Sequence, residues 1–169
     1  RVGVSPVLFY DPVGRGVATL HPDHTWDRIV FGPWRQTTWD VSDTIVDSPK
    51  LDPDVGRYFE RLPEVEYTPT WHALRTDPAH ADALAEQFGD ARARRDEVAA
   101  ARQSESYART PTVTHADSLG RPIATVAHNK VSDGENTTEE FYMTRVVFDI
   151  EGNQREVIDA HDRVVVRYQ

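Results

Sequence analysis

The sequence predicts a mainly β fold carrying a helical insertion, an α+β arrangement built from antiparallel β-hairpins. Three observations carry this. A turn module, "YDPVGRGVATLHP" at 10–22, returns as "ADSLGRPIATVAH" at 116–128 and more loosely as "FDIEGNQREVI" at 148–158. Runs of strand length flank each copy. The middle of the chain, 47–110, loses the alternating pattern and is rich in helix formers. Repetition of one short unit is the signature of an array in which each unit buries the face its neighbour exposes. Three segments follow: hairpins over 1–46, a helical insertion over 47–110, and hairpins again over 111–169.

The first segment reads as a meander. "VLFY" is a strand candidate and Asp11-Pro12-Val13-Gly14 a turn. Asp bonds its own backbone, Pro12 presets φ, and Gly14 accepts positive φ. "GVATLH" resumes the strand, Pro22-Asp23 turns it, and "TWDRIVF" alternates with Trp26, Arg28 and Val30 on one side. Gly32-Pro33 turns the chain before "WRQTTWDV", and Asp40-Val41-Ser42-Asp43 reads as the same turn device with its glycine replaced.

In the insertion, Asp52-Pro53-Asp54 precedes "VGRYFERL", whose Val55, Tyr58, Phe59 and Leu62 share a helix face ending at Pro63. From Asp77-Pro78 to about Tyr107 the Ala-rich stretch predicts a surface helix. Asp77 serves as N-cap, Pro78 as first helical residue, and a thin stripe of Leu84, Phe88, Ala91 and Val98 runs past a weakening Gly89. From Pro111 the β pattern returns in "TPTVTHA", "PIATVAHN", "EFYMTRVVFD", "QREVIDA" and "RVVVRYQ". Polar "SDGENTTEE" at 132–140 is expected to be a loop.

Bulk properties exclude several roles. The net charge is −9, with 19 Lys and Arg against 28 Asp and Glu, so no nucleic acid or anionic membrane surface is expected as partner. There is no cysteine, which removes disulfides, thiolate catalysis and Cys-based zinc sites. No stretch approaches the ~20 apolar residues of a membrane helix, and the first twenty residues do not read as a signal peptide. At 38% hydrophobic residues and a mean hydropathy of −0.60, the chain suits a thin-walled structure with more surface than core.

With these residues on the page, "FYDPVGRGVATL" resembles the Tyr-Asp repeat of Rhs and YD-repeat proteins, whose core reads Tyr-Asp-x-x-Gly-Arg followed by apolar residues. Tyr10, Asp11, Gly14 and Arg15 fit it fully. Asp117, Gly120 and Arg121 fit with Ala116 in the tyrosine slot, and Phe148, Asp149 and Gly152 fit with Asn153 in place of arginine. The phrases "LHPDHTWDRIVFGPWRQTTWDVSDT", "RYFERLPEVEYTPTWHALR" and "FDIEGNQREVIDAHDRVVVRY" are similar to the Rhs-repeat part of insecticidal Tc toxin B/C components, helical insertion included.

The resemblance implies a non-enzymatic piece of a curved Rhs-type shell, secreted as part of a bacterial toxin complex, that encloses a toxic effector polypeptide. Its partners would be neighbouring repeat segments and that effector. It implies no active site, metal or cofactor in the repeats. The arginine after each glycine is expected to reach acids or carbonyls on the next strand. The chain starts without a cap and ends inside a strand-like run, so it reads as a piece of a longer array. Its end strands, 7–10 and 163–169, are then expected to present open edges for self-association.

The sharper readings rest on thinner signals. His21-Pro22-Asp23-His24 has no third ligand at a recognisable spacing and reads as a turn. His115, and His161 between Asp159 and Asp162, sit at turns where Asp is needed for geometry. No serine has a nucleophile-elbow context. The alternative function is a stand-alone carbohydrate- or protein-binding β module presenting Trp26, Trp34, Trp39 and Trp71 to a ligand.

Overall fold

Strand-length runs closed by tight turns leave the chain little choice but to pair each strand with the one before it. A computed structural model describing residues 5–132 and 136–168 has that topology. Nine strands follow one another in a single antiparallel sheet: β1 (Val7–Tyr10), β2 (Gly16–Leu20), β3 (Trp26–Phe31), β4 (Arg35–Trp39), β5 (Thr112–Ala116), β6 (Pro122–Ser132), β7 (Thr137–Phe148), β8 (Gln154–Ile158) and β9 (Val164–Arg167). Their spatial order is their sequence order, and β1 and β9 are the two edges. Between β4 and β5 lie the helices α1 (Gly56–Phe59), α2 (Trp71–Thr76), α3 (Ala81–Gln87) and α4 (Ala91–Ser104), with 3-10 turns before α1, between α1 and α2, between α2 and α3, and after α4.

The chain divides into two units. The first takes in the chain up to Ile29 together with Trp39–Arg109, and the second takes in Val30–Thr38 together with the chain from Thr110.

The first unit has a core. Phe59 on α1 is fully buried at 0% exposure and meets Phe9 of β1 at 4.7 Å between ring centroids. It also meets Trp26 of β3 edge-on at 5.6 Å and Tyr67 at 5.8 Å. Such tilted and T-shaped contacts suit the ring quadrupoles and add to the burial of large apolar area. Trp26 donates its indole N–H to Asp47 C=O at 3.2 Å, and Thr44 Oγ1 donates to Trp26 C=O. Arg28 stacks over Trp39 at 3.8 Å and binds Asp52 at 3.1 Å and Asp54. Buried Arg75 is likewise satisfied: Nε donates to Glu97 at 2.8 Å, Nη1 donates to Trp71 C=O at 3.0 Å, and the guanidinium lies over the Trp71 ring.

The second unit has no such centre. It is a single layer of sheet, and among its described residues none is buried.

Four sequence expectations change here. The stretch 77–107 is not one helix: Asp77 caps a 3-10 turn at Pro78–His80, and α3 stops where Phe88 leaves helical space at φ −120, ψ 87. Asp90 then caps α4 by accepting from Ala93 N–H, and Arg94 Nη1 satisfies the freed carbonyls of Phe88 and Gly89. The helix on Val55–Leu62 shortens to the single turn α1, although Val55, Tyr58 and Phe59 are buried as the pattern requires. Asp40–Asp43 is not a hairpin turn. Asp40 Oδ1 accepts from the N–H of Ser42 and Asp43, and Thr44 N–H donates to Asp40 C=O, opening the insertion as an i to i+4 turn. Much of the expected 132–140 loop is strand, since β7 begins at Thr137 and pairs out to Ser132; residues 133–135 lie outside the described residues.

Because Phe59 joins rings from two strands and the insertion, Phe59→Ala should cost about 3–5 kcal/mol, read as a lowered urea midpoint at unchanged slope. Val65→Ala, at a 73% exposed position, should stay within about 0.5 kcal/mol of the parent. Equal losses from the two would refute the assignment of the core to Phe59.

Candidate functional site

The feature that recurs is a five-residue turn, and its chemistry starts from one carboxylate. At 11–15, Asp11 N–H donates to Arg15 C=O at 2.9 Å and Gly14 N–H donates to Asp11 C=O at 3.0 Å. Asp11 Oδ1 accepts from the N–H of Val13 and Arg15 at 3.0 and 2.9 Å, while Oδ2 takes Nε and Nη2 of Arg15, both at 2.7 Å. Gly14 sits at φ +83. This is a three-residue hairpin loop: a turn of type I followed by a left-handed residue that restores the ladder.

The same bonds recur at Asp117, Gly120 and Arg121, with φ +78 at the glycine, and at Asp149, Gly152 and Asn153, with φ +90. The residue before the aspartate always pairs six positions on, Tyr10 with Gly16, Ala116 with Pro122 and Phe148 with Gln154, beside a bulge.

Two further copies escaped the sequence reading as members of the set. Asp159 accepts from the N–H of His161 and Arg163 and from Arg163 Nε, with Asp162 at φ +59 in the glycine position. His21 N–H donates to Thr25 C=O and His24 N–H to His21 C=O, with His24 at φ +63. Asp and His are among the non-glycine residues that tolerate this region, so the spacing of Asp159 and Arg163 was the available signal.

The first partner of each turn arginine is local. Arg15, Arg121 and Arg163 each close on the aspartate of their own turn. Only then does Arg121 extend outward, lying 4.6 Å over the Phe148 ring and filling the space beside Gly152, where a Cβ would stand 2.7 Å from its Nη1. That contact joins one turn to the next along the sheet.

The turn carboxylates are held in their charged form. Asp159 falls from 3.8 to about 2, chiefly because the Arg163 side chain and then its backbone N–H bond the carboxylate. Asp117 is lowered by the same pair from Arg121, and Asp149 by the Asn153 backbone. At Asp11, desolvation pushes upward, but the bonds from Arg15 and Val13 outweigh it.

The four tryptophans do not form a platform. Trp26, at 2% exposure, belongs to the core and cannot face a ligand. Trp39 and Trp71 are covered by the guanidiniums of Arg28 and Arg75, and Trp34 is exposed. The histidine turn borders a cleft of about 490 Å³ lined by His21, His24, Glu66 and Pro69 among others. There His21 Nε2 meets Asp27 at 2.9 Å and His24 Nδ1 meets Pro69 C=O at 2.8 Å, so the imidazoles have separate partners. Among the described residues no group of three or more His, Asp or Glu is placed to hold a metal ion. Nor is any described helix long and apolar enough to cross a membrane.

Against known proteins, the likeness is one of fold. No protein-family model matches the chain, and no curated protein does. Solved structures do: the crystal structure of TcdB2-TccC3-Cdc42 aligns at a TM-score of 0.55 and 18% identity, and that of TcdB2-TccC3 at 0.52 and 20%. A Tc holotoxin pore of Photorhabdus luminescens aligns at 0.52 and 20%. Each alignment covers 92% of this chain and 5% of the other. The chain therefore has the fold of a short stretch of a Tc toxin TcdB2-TccC3 chain.

Two outcomes follow for the turns. A Cβ at Gly14 meets nothing within 4 Å, so Gly14→Ala should cost only the left-handed backbone, about 1–2 kcal/mol, with Gly14→Asn milder, as urea midpoints would show. Asp159 is depressed in the folded state, so its contribution to stability is complete above about pH 4 and disappears as the pH falls through about 2. Carboxyl NMR titration should place its midpoint near 2 and Arg163→Gln should raise it toward 3.8; a parent midpoint already at 3.8 would remove the clamp.

Proposed function

We propose that this chain is a non-enzymatic wall segment of an Rhs/YD-repeat toxin shell of the Tc type, secreted as part of a complex that encloses a toxic polypeptide. One observation carries the reading: the same five-residue clamp closes hairpin after hairpin and lays down a sheet whose second unit buries no described residue. A sheet solvated on both faces is a poor free-standing module but a sound stretch of wall, supported by more of the same on either side. The fold likeness to TcdB2-TccC3 chains over 92% of the residues supports the same reading. The chain spans 5% of those chains, and in this reading any catalysis of the whole toxin is assigned to other parts. The aromatic platform of the binding-module alternative loses Trp26 to the core, with Trp39 and Trp71 under guanidiniums and Trp34 exposed.

A wall segment taken alone keeps two unsatisfied strand edges, β1 and β9. All of β9 is exposed. Tyr168 N–H turns inward to Arg155 C=O, so alternation points the neighbouring Arg167 N–H outward, ahead of the bulge at Val165. Light scattering over a concentration series should show mass rising above 19.2 kDa, and Arg167→Pro, which deletes an outward donor, should reduce that association more than Arg167→Gln, which removes only the ion pair to Glu156. A strict monomer at every concentration would sink the reading.

A further inference from the structure

The insertion carries a surface that the wall does not use. Between α3 and α4 runs an open groove of about 550 Å³. Its floor is apolar, with Leu84 buried and Val98 half-buried, and Ala91 and Ala99 leave it shallow. Its rim is cationic. Arg94 is engaged by the carbonyls of Phe88 and Gly89, but Arg95 and Arg102 are exposed and have no ion-pair partner among the described residues. Nearby Arg92, outside the groove, does pair, with Asp96 at 3.9 Å.

In a chain of net charge −9, two unpaired guanidiniums flanking an apolar floor run against the general field. Arg95 and Arg102 are seven residues apart on one helix, which sets their backbones about 10 Å apart. That spacing matches carboxylates at positions i and i+7 of a second helix, whose i+3 and i+4 side chains point at the same face.

We propose that the α3–α4 groove docks an acidic amphipathic helix from a partner, with its aliphatic side chains on Leu84 and Val98 and its carboxylates on Arg95 and Arg102. Charge complementarity selects this occupant: an apolar helix without acids would leave both guanidiniums unpaired, and a basic one would be repelled. The inference is independent of the wall function, because the groove lies on the insertion and touches neither sheet edge.

The test uses the whole chain and a fluorescein-labelled, alanine-based helical peptide carrying Glu at i and i+7 and Leu at i+3 and i+4. Anisotropy should report saturable binding that weakens with added salt. It should weaken about tenfold when both Glu are replaced by Gln, and similarly in the double variant Arg95→Gln/Arg102→Gln. Arg92→Gln should bind like the parent. Because Arg95 and Arg102 are exposed, circular dichroism should confirm that the double variant folds. Equal affinity for the acidic and Gln peptides, or for parent and double variant, would overturn the proposal. Self-association of the unliganded chain that vanishes in the double variant would overturn it in favour of a second copy of this chain.

Discussion

The carboxylate at the first position of the turns at Asp11, Asp117, Asp149 and Asp159 is the constraint on which the architecture rests. One oxygen gathers two backbone N–H groups and the other gathers the side chain of the fifth residue. This leaves the fourth residue in the left-handed region and fixes the residue before the aspartate opposite the one six positions on. In a sheet, a slip of one residue would turn every side chain to the opposite face. A sheet with an interior can correct such slips by burial. The second unit has no buried described residue to do so, and its register is left to the turns and to cross-strand pairs.

That division of labour separates the two units. In the first, an insertion of short helices supplies the rings and aliphatic groups that cover one side of β1–β3, with Phe59 at the meeting point of Phe9, Trp26 and Tyr67. In the second, the hydrophobic effect has little to act on within the chain. Phe141, Met143, Val147 and the valines of β9 remain exposed. The low mean hydropathy of −0.60 is thus a property of construction: one unit is packed, and the other is a single layer.

A repeated turn is also a means of growth. Arg121 holds its own turn together and lies across Phe148 and Gly152 of a following hairpin, so one residue serves closure and stacking. A chain extended by such units has no natural stopping point and ends on strand edges. The fold likeness to a short stretch of Tc toxin chains, at 18–20% identity, is intelligible in these terms, because turns closed by atoms within five residues fix hairpin geometry whatever the rest of the sequence.

The sequence by itself determined the local structure. Asp11, Asp117 and Asp149, each three residues before a glycine, were legible as turns because the geometry is closed by atoms within five residues. So were the strands between them, the burial of Val55, Tyr58 and Phe59 by their spacing, and the cap at Asp77. Tertiary structure decided what depends on distant partners. Trp26 read as a ligand-facing aromatic and became core because Phe59 lies 33 positions later. The helix predicted over 77–107 broke at Phe88–Asp90, where Arg94 and the Asp90 cap satisfy the freed backbone. Asp162 and His24 took the glycine place because a closed hairpin tolerates the strain of a side chain at positive φ, which composition alone does not reveal. Local hydrogen bonds are written in neighbouring residues; burial is written only in the folded chain.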